Sequence, residues 1–336
     1  MFDTKYNLGN PIRKLYILHP TIAGVEGSSG GGALRLGNGI ELCVDGEELY
    51  LDPKRVKGLS FVSHAHSDHV PRGGAGEVVC TRETAALAGL RGECTTPLRR
   101  GSVELRLLNS GHMLGASQLL IENRFRVLYT GDLRVEGGVL TPPAQVEGCD
   151  VLIVESTFGT PRYEFPPLEE TVKQMQDWAE ECHRRGETPV FLGYALGKAQ
   201  ELTKVLSSSF RVEVHPAVLK NNRTYEAMGA ELGAYHPISG RCREDRVLIL
   251  PPSARRSVPG GCRVAVVSGW AVHGGTKRRY GADAAFPLSD HSDFYSLVRY
   301  VERVSPQVVY TVHGFSKEFA AELRERGFYA EPLERL

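Results

Sequence analysis

The chain has no long hydrophobic run, no paired cysteines and no net charge, and each absence removes a class of function. No apolar stretch approaches the roughly 18–20 residues that a membrane-crossing helix needs. Met1–Asn10 holds one lysine and no apolar segment follows it, so the sequence predicts no secretory leader and a cytoplasmic protein. The seven cysteines (Cys43, Cys80, Cys94, Cys149, Cys182, Cys242 and Cys262) stand singly, with no CxxC spacing. An odd, dispersed set reads as reduced and mostly buried thiols. Forty basic and forty acidic residues cancel, so no global field draws the chain to nucleic acid and any such contact must use a local patch. No internal repeat is visible. What remains is an apolar content of 41% and a charged content of 24%, those of a globular protein, in 336 residues, a length that suggests about two domains.

Within that ordinary composition one stretch is dense in chemistry. Val62–Val70, VSHAHSDHV, places His64, His66, Asp68 and His69 within six residues directly after the apolar Leu59, Phe61 and Val62. Val70-Pro71-Arg72-Gly73-Gly74 cannot continue a long helix, so the cluster sits where a strand runs out into a loop. Alternation along an extended segment puts His64, His66 and Asp68 on one side, and His69 joins them only if the chain turns there. Three imidazoles and a carboxylate suit zinc better than calcium or magnesium. The bland reading is a histidine-rich surface loop. A buried strand before it and partners after it argue against that.

The rest of the chain supplies a frame. Short strands over Ala33–Leu36, Ile40–Val44 and Glu48–Leu51, separated by Gly-Asn-Gly and Asp45-Gly46, follow hairpin grammar, and Asp52 closes them before Pro53. Arg82–Leu90 reads as a helix, Val103–Leu108 as a strand, and Gln118–Ile121 with Arg126–Tyr129 as a hairpin. Val151–Val154 is apolar throughout and suits a central strand. An amphipathic helix over Leu168–Arg185, a strand over Pro189–Leu192 and a helix over Lys198–Ser207 imply a parallel sheet in the middle third. Val247–Leu250 and Val264–Val267 are further strands; Ser292–Arg303 is a helix, Val308–Val312 a strand and Phe315–Arg326 a last helix. Met1 to about Gly32, with a strand-like Leu15–Leu18 and a Gly/Ser-rich stretch, reads as an extension.

Four later positions repeat the theme of a small or metal-competent residue directly after a strand: Gly111-His112, Gly131-Asp132, His291 in LSDHSD, and His313-Gly314. Strand ends on one sheet edge are neighbours in space. Two ions follow, with His64, His66 and His112 on the first, Asp68, His69 and His313 on the second, and Asp132 giving one oxygen to each. A hydroxide between the ions is then the expected nucleophile. Glu155 begins Glu155-Ser156-Thr157 after the central strand, where it is either part of a turn or the partner that orients an imidazole. Gly193-Tyr194-Ala195-Leu196-Gly197-Lys198 joins a strand to a helix, a place that can bind phosphate, although the spacing is not that of a Walker A loop.

Taken in order, these residues resemble the metallo-β-lactamase fold, whose HxHxDH hallmark is His64–His69, and within it the β-CASP nucleases, whose added motifs match Glu155, His291 and His313, with Asp52 at the first motif. GYALGKAQE, VSGW, LSDHSD and VHGF are most similar to a compact group described as DNA-ligase-associated exonucleases in bacteria and as mRNA 3′-end processing factors in archaea. The resemblance runs from about Ala33 to the C-terminus. It implies an α/β fold, an αββα sandwich built from residues 33–160 and 287–336, with a β-CASP α/β domain inserted over 161–286 and residues 1–32 as an extension.

It also implies roles. Two Zn2+ ions, replaceable by Mn2+, would act with Asp68; His291 would protonate the leaving oxygen, held by Glu155; Asp52 would orient ligands. Ser156, Thr157, Gly197, Lys198 and Ser268 would line a phosphate track. The function implied is a nuclease on single-stranded or strand-end nucleic acid, an exonuclease on DNA in repair, with DNA ligase or a helicase as partner. His313 takes the histidine form more typical of RNA-acting members, which keeps open an alternative as an RNA 3′-end processing endo- or exoribonuclease with RNA-processing machinery as partner. A small-molecule thioester hydrolase and a non-catalytic scaffold are the remaining readings, opposed by the large insertion, the Glu155/His291 pair and a complete ligand set.

Overall fold

The computed structural model describes residues 16–17, 33–92, 97–239 and 245–333. Of the N-terminal extension only β1 (Tyr16–Ile17) falls within them; the Gly/Ser-rich stretch, Cys94 and Cys242 lie outside. The first sheet runs β1, β2 (Ala33–Gly37), β3 (Gly39–Val44), β4 (Glu47–Leu51), β5 (Val56–Phe61) and β6 (Gly74–Val79), in that order. Helix α1 (Arg82–Ala88) follows, capped by Thr81, whose hydroxyl accepts the Thr84 N–H.

The chain then builds β7 (Leu98–Arg100), β8 (Val103–Asn109), β9 (Ser117–Glu122), β10 (Arg126–Tyr129) and β11 (Val151–Glu155). Next come α2 (Leu168–Arg184), β12 (Thr188–Leu192), α3 (Lys198–Ser207), β13 (Arg211–Val214), α4 (Pro216–Ala227), β14 (Tyr235–Pro237), β15 (Arg246–Leu250), β16 (Cys262–Val267), α5 (Gly275–Arg279) and β17 (Ala284–Phe286). These six strands form an all-parallel sheet of order β14-β13-β15-β12-β16-β17. Helix α6 (Phe294–Val304), β18 (Val308–Val312), α7 (Ser316–Glu325) and β19 (Ala330–Pro332) then return to the second sheet, ordered β19-β18-β11-β10-β9-β8-β7. Because β18 pairs with β11, the third sheet is inserted between two neighbouring strands of the second.

The apolar run of β11 explains the layering. Successive side chains leave a strand on opposite faces: Val151 and Ile153 pack into a core shared with Leu42, Leu51 and Phe61 of the first sheet, whereas Leu152 and Val154 face Leu297, Val301 and Phe319 of α6 and α7. Both faces are therefore covered, and on the far side of the first sheet Val62, Val78 and Cys80 pack against Ala85 of α1. The result is the αββα sandwich. In the third sheet Phe191 and Val190 diverge in the same way into separate cores.

Several elements depart from the sequence expectation. The alternation expected through Asp68 does not persist, because the chain turns over residues 67–69 and the His69 and Val70 N–H groups both donate to the His66 carbonyl. Strands β6, β7, β13, β14, β17 and β19 and helices α4 and α5 have no counterpart in that reading; the strands and α5 are short, and α4, although 12 residues long, buries only Val218, Asn222 and Tyr225 and so shows little apolar periodicity.

Candidate active site

The ends of β5, β8, β10, β11 and β18, with the loop before α6, converge on one edge of the sandwich. After β5 the turn carries His64, His66 and His69 inward. Asp68 points outward with its side chain 80% exposed, its Oδ2 still 3.9 Å from His69 Nε2. His112 follows β8 and Asp132 follows β10, both buried. His313 follows β18 in a left-handed conformation, φ 62°, as does Asp52 after β4, φ 43°. Non-glycine residues adopt this region rarely, and here two of them stand at the site. Gly314 is left-handed as well, φ 48°, and a Cβ there would run into Ser156 O and Thr157 Cα.

Four donor atoms gather most tightly. His66 Nδ1 lies 3.1 Å from His64 Nε2 and 3.2 Å from His112 Nε2, and Asp132 Oδ2 lies 3.3 Å from the former and 3.6 Å from the latter. A tetrahedral ion with ligands at about 2.0–2.1 Å separates its donors by about 3.3 Å. The opposite ring nitrogens decide what these atoms are. His112 Nδ1 is 2.7 Å from the Asp290 carbonyl and His66 Nε2 is 3.2 Å from the Leu196 carbonyl; a carbonyl only accepts, so those nitrogens carry the protons. Ser63 Oγ donates to Asp52 Oδ2 at 2.6 Å, so at 3.0 Å from His64 Nδ1 it accepts. All three inward nitrogens therefore present lone pairs to one another and to a carboxylate, an arrangement that a cation completes and that protein atoms alone do not. The donor set fits a divalent ion.

A second, more open group adjoins it. Asp132 Oδ1 is 3.5 Å from His69 Nε2, so the two oxygens of one carboxylate face separate sets of imidazoles. His69 Nδ1 is held at 2.7 Å by Asp52 Oδ2, which also accepts Tyr129 Oη–H at 2.8 Å, while Oδ1 accepts the Ser63 N–H at 2.7 Å. The His313 ring stands 5.6 Å from that of His69. The electrostatics mark the same place: burial disfavours a charged His69, yet Asp132 and then Asp52 push it up to about 10. Burial first, and then the His291 charge, hold His112 down to about 4. At His69 the neighbouring acids thus favour positive charge, whereas His112 is held neutral.

Beside Asp132, His291 Nδ1 lies 2.8 Å from Glu155 Oε1, and its Nε2 is 3.8 Å from Asp132 Oδ2. Glu155 is buried and also accepts the Leu133 N–H at 2.8 Å and the Thr157 N–H at 3.0 Å, so its orientation is set by backbone. Burial opposes a charged His291, but Glu155 and then Asp132 raise it to about 9.

These groups open into a cleft of about 680 Å³ between the sandwich and the third sheet, lined by His66, Asp68, His69, His291 and His313 on one side and by Tyr194, Ser268 and Trp270 on the other. Of the residues expected along a phosphate track, Thr157 and Ser268 line this cleft. Ser156, Gly197 and Lys198 are not among its lining. Ser156 Oγ–H donates to the Val312 and His313 carbonyls, holding β11 to β18. Lys198 is 1% exposed, its amine 3.1 Å from Glu201 Oε2 and 3.5 Å from Asp290 Oδ1. The sequence reading missed Ser63, the Leu196 and Asp290 carbonyls, and the aromatic wall around Trp270. Ser63 alone had a visible signal, a small polar residue directly before the histidines.

No protein-family model matches the chain. It is 38% identical over 299 residues to a probable DNA ligase of Opitutus terrae, an alignment that covers 84% of this chain and 29% of that protein. It is 26% identical over 198 residues to an RNase J-like protein of Methanocaldococcus jannaschii, covering 49% of this chain and 47% of the relative. The chain thus spans less than half of either relative. Among solved structures, a protein of unknown function from Enterococcus faecalis superposes with a TM-score of 0.56 at 16% identity, over 83% of this chain and 80% of the other, which shows a shared fold. No helix among the described residues is long and apolar enough to cross a membrane.

Proposed function

The chain belongs to the β-CASP branch of the metallo-β-lactamase fold, and from that premise we propose a two-zinc nuclease that hydrolyses phosphodiester bonds at the end of a single strand, DNA in the first instance. The observation that carries the reading is Asp132, whose two oxygens face separate histidine groups with the Glu155–His291 pair alongside. His64, His66, His112 and Asp132 would hold one ion, and Asp132, Asp68, His69 and His313 the other. Nitrogen donors favour zinc, with manganese as a substitute. Bound ions would supply positive charge for the phosphate oxygens and acidify a water.

The chain's own residues do the remainder. Asp52 and Ser63 hold the His69 and His64 rings so that Nε2 of each faces inward. Glu155 keeps His291 protonated and aims Nε2 at the cleft, where it passes that proton to the departing oxygen; a bare alkoxide leaves poorly. Residues 33–160 with 287–336 would form the metal-bearing unit, and 161–286 the unit that closes the cleft over a strand. The relative named a probable DNA ligase supports DNA and a ligase as partner. The RNase J-like relative, together with the histidine at position 313, supports a second reading in which the same site trims RNA.

Matched single-stranded DNA and RNA, labelled at either end and incubated with zinc or manganese, test the choice. Chelator-sensitive shortening of DNA from one end is the expected result. Preferential loss of RNA selects the second reading, and intact DNA and RNA together reject both.

A further inference from the structure

Four large apolar side chains are prominent on the described surface: Tyr194, Trp270, Tyr295 and Tyr329. Two of them, Tyr194 at 55% and Trp270 at 41% exposed, line the same cleft as the metal-type residues. Trp270 is not a loose surface ring. It packs against Phe158 at 4.7 Å and edge-on against Tyr163 at 5.5 Å, and Tyr163 lies against Phe315 at 5.5 Å. Arg162 covers the Tyr163 and Phe315 rings from outside, at 5.0 and 4.7 Å.

The cluster is fastened to the catalytic edge. Phe158 also faces His291, 6.1 Å away, so one ring separates Trp270 from His291. A Cβ at Gly269 would strike both Phe158 and the Ser289 hydroxyl, and that hydroxyl accepts the His291 N–H at 3.0 Å. Trp270 is thus held in fixed relation to His291 while one part of its surface stays open. Its carbonyl accepts the Thr276 hydroxyl at 2.6 Å, which ties it to α5, where Lys277, Arg278 and Arg279 are all exposed. In a chain with no net charge these three successive cations are a local basic patch.

We propose that Trp270 is a stacking platform for a nucleobase of the bound strand, with Tyr194 as a second aromatic wall and Lys277, Arg278 and Arg279 carrying the phosphates that lead into the cleft. A held aromatic beside exposed cations is how a groove grips single strands without reading sequence, because every base has a π-face. The inference rests on the nuclease reading above and adds to it that the strand must carry bases where it meets Trp270.

A fluorescence titration of the full chain tests this, using an oligothymidylate of about ten nucleotides with phosphorothioate linkages that resist cutting. The chain has two tryptophans, and Trp178 is packed against Phe191 and Phe286 in the third sheet. Quenching is expected in Trp178→Phe, where Trp270 is the one remaining tryptophan, and not in Trp270→Phe. Trp270→Ala should weaken binding about five- to hundredfold, and Trp270→Phe, which keeps a ring, far less. An abasic oligomer of equal length and charge should bind the parent at least as weakly as Trp270→Ala binds oligothymidylate, since it also loses the contact with Tyr194. Replacing Lys277, Arg278 and Arg279 by alanine should reduce the slope of log affinity against log salt by about 0.7 for each phosphate that these side chains neutralise. Parental affinity in Trp270→Ala, or equal affinity of the parent for the abasic oligomer, overturns the platform. If the parent still cuts strands in that case, the nuclease reading stands without it. If the parent neither binds nor cuts DNA or RNA, both fall together.

Discussion

Glu201→Gln separates a structural role for Lys198 from a phosphate-binding one. Glu201 is buried on the first turn of α3, where Oε1 accepts Arg134 Nη1–H at 2.5 Å and the Val139 N–H at 3.2 Å, and Oε2 accepts Lys198 Nζ–H at 3.1 Å. One carboxylate therefore neutralises two buried cations, and Asp290 at 3.5 Å is the only other acid within ion-pair distance of Lys198 among the described residues. Glutamine keeps the shape and removes the charge. Removing one partner from a buried ion pair costs about 3–5 kcal/mol. At about 2.1 cal/mol/K per residue, unfolding 336 residues carries about 0.7 kcal/mol/K, so Tm should fall by about 4–7 °C. Against burial, Lys198 and Arg134 lower the Glu201 carboxyl below its usual range. Its contribution is then complete above the ordinary glutamate value of about 4.3 and fades as pH drops below it, so the parent and the variant should converge in acid. Lys198→Met should be milder, because Glu201 keeps Arg134, and the double variant should recover part of the loss. Scanning calorimetry at neutral and acid pH reads all three. A Glu201→Gln chain that melts within a degree of the parent, or a Lys198→Met chain of unchanged stability and raised KM, refutes the assignment.

The remaining predictions concern the site and its frame. Asp132→Ala should lose at least one of two bound ions, counted by native mass spectrometry, together with cleavage; full activity in the purified variant rejects the bridging role. His291→Ala should keep both ions and slow cleavage by about 10²–10⁴-fold, the usual range for a proton donor; loss of an ion there would make it a ligand. Gly314→Ala forces a side chain into Ser156 and Thr157 at positive φ and should cost more than about 1 kcal/mol, read from the denaturant midpoint.

The clustering of the candidate residues was legible because each follows a strand whose apolar run is visible: pairing within the second sheet aligns the ends of β8, β10 and β18, and packing of the first sheet against it adds the end of β5. The central strand showed itself for a related reason: four apolar residues in succession make sense only where both faces are covered. Strand β6 was hidden because GAGEVV has two glycines among its first three residues and follows Pro71-Arg72-Gly73, and turn chemistry masks a strand that begins there. Lys198 misled in the opposite direction. A lysine after a glycine turn looks like an anion site, yet its partner lies one helical turn on at Glu201, and the fold buries the pair. The orienting groups on His66 and His112 are backbone carbonyls, which leave no trace in residue identity.

The contact between His66 Nε2 and the Leu196 carbonyl, at 3.2 Å, joins a candidate metal ligand to the turn between β12 and α3. Partners of this kind are typically worth a factor of about 10–100 in metal affinity. A minimal catalyst cut from the sandwich alone would therefore start with a weakened ion, whatever became of its substrate grip. By the same tie, swinging the third sheet away to admit a strand sideways would loosen His66 each time.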